Sequence, residues 1–284
     1  MTNSIAPPGN AAQIDYWNAL AGQTWVAFHD QLDRQLEPLG LAAMELLAPA
    51  PGERILDIGC GCGHTTVALA ERLGPTGQAT GVDISRPMLE VGRARPVSQG
   101  LAAMAFLESD AQQDDLGQGQ WDGVFSRFGV MFFSDPVAAF ANLRRSLRPG
   151  GRLAFVCWRP FVENDWMRVP MMAALPLLAP PAPADPTAPG PFAFADPERV
   201  MGILKDAGFA EMAITPFDTR IGGSGLDQTV ALTLKVGPLG SALRESPDLA
   251  QPVAAAVRTA LEPYDTPEGV LMPAAVWLVS ARAV

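Results

Sequence analysis

The sequence lacks the features that mark several large classes of protein. Its apolar residues never run uninterrupted for the roughly 20 positions that a transmembrane helix needs, and its first ten residues lack the basic start and apolar core of a secretory signal. Only 20 lysines and arginines stand against 30 acids. Nucleic acids and anionic membranes need a basic surface, so both are disfavoured as partners. We expect a cytoplasmic protein that binds neither.

Cysteine is also scarce, with three residues in the chain. Cys60 and Cys62 are separated by one glycine, a spacing too short for a comfortable disulfide. Together with His64 they offer an alternative interpretation as metal ligands, but a zinc site needs further ligands and only His29 and Cys157 remain as histidine or cysteine. We therefore predict that these side chains pack around a turn and that the protein holds no metal.

The remaining composition describes a folded chain with a full core. Of its 284 residues, 48% are hydrophobic and 18% are charged. This balance is typical of a globular protein, and the length suits one large α/β domain with additional elements. No internal repeat is evident. Either a monomer or a homodimer is compatible with these properties.

Residues 54–64 contain the most informative pattern in the chain. Ile55, Leu56 and Ile58 predict a buried strand, and glycines follow at every second position, 59, 61 and 63. A helix is predicted over residues 64–73, and further helices are predicted over residues 85–99 and 226–244. Glycine allows the backbone to turn tightly and to approach a ligand closely. A strand, a glycine-rich turn and a helix therefore predict a small-molecule site.

The spacing of these glycines distinguishes between ligands. A dinucleotide fold has the pattern G-x-G-x-x-G with a pyrophosphate at the helix N-terminus. Here the pattern is G-x-G-x-G and contains Asp57, whose carboxylate would repel a pyrophosphate but suits a cationic ligand. A second strand ends at Asp83, whose carboxylate can accept hydrogen bonds from both hydroxyls of a ribose.

Four motifs in order resemble those of class I S-adenosylmethionine-dependent methyltransferases, particularly the branch with the ubiquinone and menaquinone C-methyltransferases. They are residues 57–63, 81–85, 108–111 and 148–152, and the resemblance covers roughly residues 45–158. It implies S-adenosyl-L-methionine as cofactor and an α/β fold with a Rossmann-like sheet of seven strands. The implied strand order is 3-2-1-4-5-7-6, with the last strand antiparallel and helices on both faces.

The resemblance also implies which residues bind the adenosine part of the cofactor. Asp83 would bind the ribose, and Ile84 and Met88 would pack on the faces of the adenine. Asp110 would accept a hydrogen bond from the exocyclic amine, and the amide of Ala111 would meet a ring nitrogen. The full set of expected cofactor-binding residues is Asp57, Gly59, Gly61, Gly63, His64, Asp83, Ile84, Met88, Asp110, Ala111, Ser126, Arg127 and Phe128.

Two residues near the expected methionine end of the cofactor have several interpretations. Arg127 would anchor the methionine carboxylate, pair with Asp57 or bind an acidic substrate. His64 begins a predicted helix, where the helix dipole disfavours an imidazolium. It would therefore act as a neutral hydrogen-bonding group near the cofactor or help to cap the helix.

Three segments outside the expected sheet predict a helical cap: residues 1–45, 159–195 and 222–265. The first would contain two helices that meet near Gly22, with an interruption at Pro38, and the methyltransferase domain would span residues 46–284. The segments are rich in Trp, Met and Phe, which favours an apolar, aromatic acceptor. The sequence shows no obvious general base, and the candidates in the cap are His29 and Tyr16, followed by Glu163 and Asp165.

The predicted function is in-line transfer of a methyl group to an oxygen, carbon or nitrogen atom of an apolar small molecule. Two alternatives remain open. The chain would bind S-adenosylmethionine but promote another reaction, such as a cyclisation, decarboxylation or hydroxylation. A nicotinamide-dependent oxidoreductase is the other alternative, and both the glycine spacing and Asp57 disfavour it.

Overall fold

The computed structural model describes residues 10–95, 101–179 and 185–284. Parts of three predictions lie outside these residues: the first nine residues of the 1–45 segment, the end of a helix predicted over residues 85–99, and residues 180–184 of the 159–195 segment.

A single mixed sheet organises the described part of the chain. Its strands are β1 Arg54–Ile58, β2 Gln78–Asp83, β3 Ala103–Glu108, β4 Trp121–Arg127, β5 Leu147–Trp158, β6 Ala210–Ser224, β7 Asp265–Thr266 and β8 Gly269–Arg282. The strands follow the order β3-β2-β1-β4-β5-β8-β6, and the two-residue β7 pairs with β8 beside this path. The predicted order is confirmed, because β8 is the last long strand and runs antiparallel between β5 and β6.

Helices cover both faces of the sheet and one of its edges. They are α1 Ala11–Asn18, α2 Leu20–Ala27, α3 His29–Leu47, α4 His64–Leu73, α5 Arg86–Ala94, α6 Pro136–Ser146, α7 Asp165–Ala174, α8 Pro197–Asp206, α9 Leu226–Thr233, α10 Gly237–Glu245 and α11 Ala250–Leu261. Because β1 lies between two parallel neighbours and under helices, Ile55 to Ile58 are buried on both faces. Parallel strands β1, β2, β3 and β4 end at one edge of the sheet, where such folds bind their ligands.

The N-terminal segment forms three helices, so the prediction of two helices that meet at Gly22 is wrong. The breaks lie at Ala19 and Phe28. Gly22 lies within α2, where a Cβ would be 2.0 Å from the carbonyl oxygen of Trp17. Because Gly22 has no Cβ, α1 and α2 can pack closely against each other at this point. Helix α3 continues through Pro38, since the carbonyl that loses its hydrogen bond belongs to exposed Arg34 and remains open to water.

The segment 226–244, predicted as one helix, is divided into α9 and α10. Gly237 has φ +77°, and Pro238 follows it. A residue before proline avoids the helical region, and proline has no N–H for the preceding turn. The chain therefore turns here, and residues 234–236 connect the two helices.

Two hydrophobic cores stabilise the described residues. The larger core surrounds the sheet and includes Phe125, Phe140 and Phe155. The smaller core lies among α7, α9, α10, α11 and β8, with Val253 and Val257 fully buried. Trp166 packs against both cores. In the described residues, every helix is too short or too polar to cross a bilayer.

Candidate active site

A cavity of about 470 Å³ opens at the carboxyl ends of the parallel strands. The glycine-rich turn after β1 and the residues after β2, β3 and β4 form one end of it. The wall also includes residues of α1, α2, α3, α7 and α10, the connection between α9 and α10, Trp158 of β5 and residues 191–192. The expected cofactor residues that line it are Gly59, Gly61, Asp83, Ile84, Met88, Asp110, Ala111, Arg127 and Phe128.

The glycine-rich turn after β1 is shaped by close backbone contacts. Gly59 has φ +67°, and a Cβ there would lie 2.6 Å from Cα of Gly129. Gly61 has φ +54°, but a Cβ there would meet nothing closer than Sδ of Met88 at 3.8 Å. Gly59 is therefore required by packing, whereas Gly61 leaves open space in the cavity wall. Gly63 faces the ring of Phe106, away from the cavity lining.

Asp83, the last residue of β2, holds two turns of the site in place. Its Oδ2 accepts a hydrogen bond from the Gly61 amide at 2.8 Å, and its Oδ1 accepts one from the Ser85 amide at 2.8 Å. Burial raises the pKa of this carboxyl, and these amide hydrogen bonds oppose the rise. Each carboxylate oxygen has a second acceptor site, so Asp83 can also accept hydrogen bonds from a diol in the cavity.

Asp110, after β3, has a buried oxygen without a partner. Its Oδ1 accepts hydrogen bonds from Asn10 Nδ2 at 3.2 Å and from the Gln112 amide at 3.0 Å. Its Oδ2 is buried and accepts none from the described residues. A buried acceptor without a donor costs about 1–3 kcal/mol, so a ligand that supplies an N–H here would be stabilised. The exocyclic amine of an adenine fits this requirement.

Asp57 and Ser126 lie outside the cavity lining and connect neighbouring elements. Asp57 is fully buried, and its Oδ2 accepts hydrogen bonds from the hydroxyls of Thr65 and Thr66 at 2.7 Å each. Burial raises the pKa of Asp57 to about 6. Ser126 donates to the carbonyl of Ile58 at 2.8 Å and accepts from the Gly129 amide at 3.1 Å. Both residues therefore shape the glycine-rich turn from behind.

Arg127 belongs to a buried ion-pair network that the sequence analysis missed. Its Nη2 lies 3.0 Å from Asp33 Oδ1, so its partner is Asp33 on α3 and not Asp57. Arg95 Nη2 lies 2.5 Å from Asp33 Oδ2, and the same guanidinium donates to the carbonyl of Cys62. Asp33 is 6% exposed. One N-terminal helix is thereby joined to both the glycine-rich turn and the end of β4.

His64 lies beside this network, outside the cavity lining. Its Nδ1 lies 3.4 Å from Nη1 of Arg127, and its Nε2 lies 3.7 Å from Oε1 of Glu37. Burial and the charge of Arg127 lower the pKa of the imidazole. The side chain does not cap α4, because the N-cap residue is Gly63 and no side chain bonds the first turn. His64 is therefore a neutral imidazole between charged groups.

Aromatic side chains form a large part of the cavity wall. Phe128 stacks on Trp158 with ring centroids 4.2 Å apart and planes at 9°, and Trp166 contacts Trp158 at 4.9 Å. Phe128 has φ +67°, a conformation that costs a bulky residue about 1–3 kcal/mol. Trp17 and Phe132 contact each other edge to face at 5.1 Å on the side of α1. This wall suits a flat apolar molecule.

The four candidates for a general base lie in different places. Tyr16 lines the cavity and is 43% exposed. His29 lies outside the lining, with Nδ1 2.7 Å from the carbonyl of Val26 and Nε2 3.3 Å from Asp30. Glu163 pairs with Arg159, and Asp165 pairs with Arg168, also outside the lining. Of the four, the structure brings only Tyr16 to the site.

The cysteines of the glycine-rich turn do not form part of a metal cluster in the described ranges, where no group of three His, Cys, Asp or Glu residues is placed to hold an ion. Burial raises the pKa of Cys60 well above its ordinary value and that of Cys62 to about 12. Both are therefore neutral thiols at physiological pH, and metals bind the thiolate. Cys157 is also a buried free thiol.

Comparisons with known proteins assign this site to a family. Residues 55–151 match a family described as "Methyltransferase domain". Nocamycin O-methyltransferase of Saccharothrix syringae is 30% identical over 209 residues, which make up 70% of this chain and 74% of that protein. The chain therefore belongs to the S-adenosylmethionine-dependent methyltransferases. It is an enzyme that methylates small molecules, and S-adenosylmethionine is its cofactor.

Two further relatives share a shorter region with the chain. Aklanonic acid methyltransferase of Streptomyces sp. (strain C5) is 35% identical over 118 residues, 42% of this chain and 54% of that protein. The ubiquinone/menaquinone biosynthesis C-methyltransferase of Ectopseudomonas mendocina is 37% identical over 111 residues, 39% of this chain and 43% of that protein. The chain spans about half the length of these two relatives, and the resemblance to the quinone branch is confirmed.

Two solved structures share the fold. The 4+2 cyclase SpnF has a TM-score of 0.58 and 17% identity, with 97% of each chain covered. Phosphoethanolamine N-methyltransferase 2 of Haemonchus contortus, in complex with S-adenosyl-L-methionine, has a TM-score of 0.52 and 17% identity, with 87% of this chain and 53% of that chain covered. At such low identity these similarities show the fold alone.

Proposed function

We propose that the enzyme transfers a methyl group to an apolar aromatic small molecule. The observation that carries this proposal is that one cavity joins the glycine-rich turn and Asp83 to the aromatic wall around Trp158. Cofactor and acceptor would therefore share one enclosed space. The relatives are consistent with it, because their names assign methyl transfer to nocamycin, aklanonic acid and quinone biosynthesis.

We assign the cofactor to the end of the cavity with the two acids. Asp83 would hold the ribose diol, and Oδ2 of Asp110 would accept the adenine amine. Ile84 and Met88 line the cavity between these acids and would pack against the base. Arg127, which lines the cavity, would face the methionine carboxylate. S-adenosylmethionine, when bound, supplies a methyl group already activated on a sulfonium.

The protein would contribute alignment and the exclusion of water. Among the described residues that line the cavity there is no histidine or glutamate, and its aspartates are Asp83 and Asp110 at the cofactor end. Tyr16 is the remaining candidate to move a proton. Orientation of two bound reactants can supply about 7–11 kcal/mol of a barrier. We therefore propose an in-line displacement in which the enclosing helices position the acceptor and a base is secondary.

A second activity of the same site is also a candidate, because the fold does not restrict the site to methyl transfer. SpnF, which shares the fold over nearly the whole chain, is named as a cyclase. An enzyme that binds S-adenosylmethionine without using its methyl group would keep the same cofactor residues. The mass of the product separates the two functions, since methyl transfer adds one methyl group and a cyclisation adds none.

Calorimetric titration with S-adenosylhomocysteine, with NADH in parallel, is the experiment that tests the proposal. We expect micromolar or tighter binding of the first and no binding of the second. Acceptors are then screened with S-adenosylmethionine for a methyl-sized gain in mass. NADH binding without S-adenosylhomocysteine binding would contradict the cofactor assignment, and turnover without a gain in mass would favour the second function.

We also propose a cytoplasmic location for the enzyme. The three cysteines are free thiols in the structure, which agrees with a reducing cytoplasmic compartment.

The division into domains and the oligomeric state are further parts of the proposal. We propose that residues 1–45 and the segments 159–195 and 222–265 form the cap over the domain of residues 46–284. A monomer or a homodimer would suffice, because the cavity wall is built within one chain. Size-exclusion chromatography with light scattering tests the assembly.

A further inference from the structure

The charged side chains that line the cavity are divided between its two ends. Asp83 and Asp110 lie at the glycine-rich turn, whereas Lys235 and Arg244 lie on the connection between α9 and α10 and on α10 itself. The third cation in the lining, Arg127, is compensated by Asp33 at 3.0 Å. The cavity therefore has an acidic inner end and a cationic rim.

The two rim cations have no carboxylate partner within the described ranges. The Lys235 side chain makes no ion pair or hydrogen bond there, and the Arg244 guanidinium donates only to Oγ of Ser241 at 2.6 Å. Exposed Arg86, by contrast, pairs with Glu108. An uncompensated positive potential therefore faces the cavity at its rim.

Apolar residues flank the two cations in the cavity wall. Val236 and Pro238, near Lys235 in the chain, line the cavity together with Trp166 and Met167 of α7. These four residues also line a smaller adjoining cavity. A molecule that extends from the aromatic wall to the rim would therefore contact apolar side chains as well as the two cations.

From this arrangement we propose that the acceptor carries one anionic group, such as a carboxylate, on its apolar body. Lys235 and Arg244 bind that group at the rim, and Trp166 contacts the body. Both cations are exposed, so each contributes moderately and the contribution decreases with salt. This inference rests on the proposed function, since it describes the acceptor of the same site.

A matched pair of fluorescent probes tests the proposal without knowledge of the acceptor. The anionic probe is 1-anilinonaphthalene-8-sulfonate, and N-phenyl-1-naphthylamine is the same aromatic body without the sulfonate. Each is titrated into the full chain saturated with S-adenosylhomocysteine. We expect the anionic probe to bind about fivefold to tenfold more tightly at low salt, and this preference to fall at high salt.

Substitutions locate the preference on the protein. The double variant K235M/R244Q should lose the preference for the anionic probe and keep its affinity for the neutral one. The charge-conserving variant K235R/R244K should retain the preference. Lys205 on α8 lies outside the cavity lining and is the other lysine of the chain, so K205M is a matched control that should behave as the parent.

Several outcomes would overturn the proposal. They are equal binding of both probes by the parent, an unchanged preference in K235M/R244Q, or binding of neither probe. Loss of S-adenosylhomocysteine affinity in K235M/R244Q with a retained circular dichroism spectrum would assign the two cations to the cofactor instead. Failure of the parent to bind S-adenosylhomocysteine contradicts the proposed function, so the two failures are distinguishable.

Discussion

The two ends of the cavity are built in different ways. The end that we propose for the cofactor uses backbone amides and short segments after β1, β2 and β3, each of which follows directly from its strand. The end that we propose for the acceptor uses side chains from α1, α7 and the α9–α10 connection, which lie far apart in sequence. The structure of the first end is therefore determined by the local sequence after each strand. The structure of the second end is determined by tertiary packing between distant segments. Substitutions at one end should therefore leave the other largely intact.

Asp83→Ala should produce the largest effect, at the cofactor end. The substitution removes the proposed acceptor for the ribose hydroxyls and leaves the amides of Gly61 and Ser85 without their acceptor. We expect S-adenosylhomocysteine affinity to fall by about 100-fold, which corresponds to about 3 kcal/mol, as measured by calorimetry. Glu108 is the matched control, because it pairs in register with Asp83 but forms an exposed ion pair with Arg86. Glu108→Ala should bind like the parent, and equal losses in both variants would refute the assignment.

Asp33→Asn should affect both ends, because Asp33 joins α3 to the glycine-rich turn through Arg95 and to the cavity lining through Arg127. The substitution leaves two guanidinium groups without their carboxylate. We expect the free energy of unfolding to fall by about 3 kcal/mol, measured by urea denaturation, with weaker S-adenosylhomocysteine binding. The nearby exposed Asp30, which contacts His29, supplies the control Asp30→Asn. A parental stability in Asp33→Asn would show that the network is solvated and contributes little.

Trp166→Leu should affect the acceptor end alone. Trp166 lines the cavity and contacts Trp158, and we expect N-phenyl-1-naphthylamine to bind about tenfold more weakly. S-adenosylhomocysteine affinity should remain within about twofold, since the two ends are independent. Trp166→Phe keeps an aromatic ring and removes the buried indole N–H, which has no acceptor among the described residues. Parental probe binding is expected for Trp166→Phe, and an equal loss in both variants would show that the indole N–H itself binds the ligand.

Asp57→Asn should produce the smallest effect, on the pH dependence of stability. Burial raises the pKa of folded Asp57 to about 6, above its unfolded value near 4. The carboxyl therefore imposes no penalty below the unfolded pKa, an increasing penalty as the pH rises towards 6, and a constant penalty above it. Between about pH 5 and about pH 7.5 the parent should lose about 1 kcal/mol from this group.

The measurement for position 57 is urea denaturation at several pH values in parent and variant. The introduced asparagine can still accept the hydroxyls of Thr65 and Thr66 through one oxygen, so the variant should fold and show a shallower dependence. Buried Asp83 also has a raised pKa and contributes to both profiles. The difference between the two profiles is therefore the quantity to compare, and identical slopes would show that Asp57 does not titrate in this range.

The cofactor end and the sheet were largely predictable from sequence because their signals are local. Ile55, Leu56 and Ile58 indicated β1, and the alternating glycines indicated the turn that follows. The order of the strands followed from family resemblance and is confirmed. The roles of individual cofactor residues remain predictions, although the structure shows that Asp57 and Ser126 lie outside the cavity lining.

The acceptor end was less predictable because it depends on contacts between distant segments. Asp33 lies on a helix whose apolar pattern gave no indication of Arg95 and Arg127 as partners. Lys235 and Arg244 reach the cavity only because the chain turns at Gly237 and Pro238, where a single helix was predicted. The signal that was available was the Gly-Pro pair itself, which disfavours a continuous helix.

The helical segment between β6 and β8, residues 225–264, is an excursion from the sheet that bears on how the acceptor preference of this enzyme can change. Residues 225–264 leave the sheet after Ser224 and return close to Val270, and these two residues are paired across the strands. The excursion carries most of the smaller hydrophobic core, and doubling the length of such a loop costs only about 0.6 kcal/mol in closure entropy. Its length can therefore change at little entropic cost while the core that it shares with α7 and β8 is kept. New acceptor preferences are accessible by this route while the cofactor motifs stay unchanged.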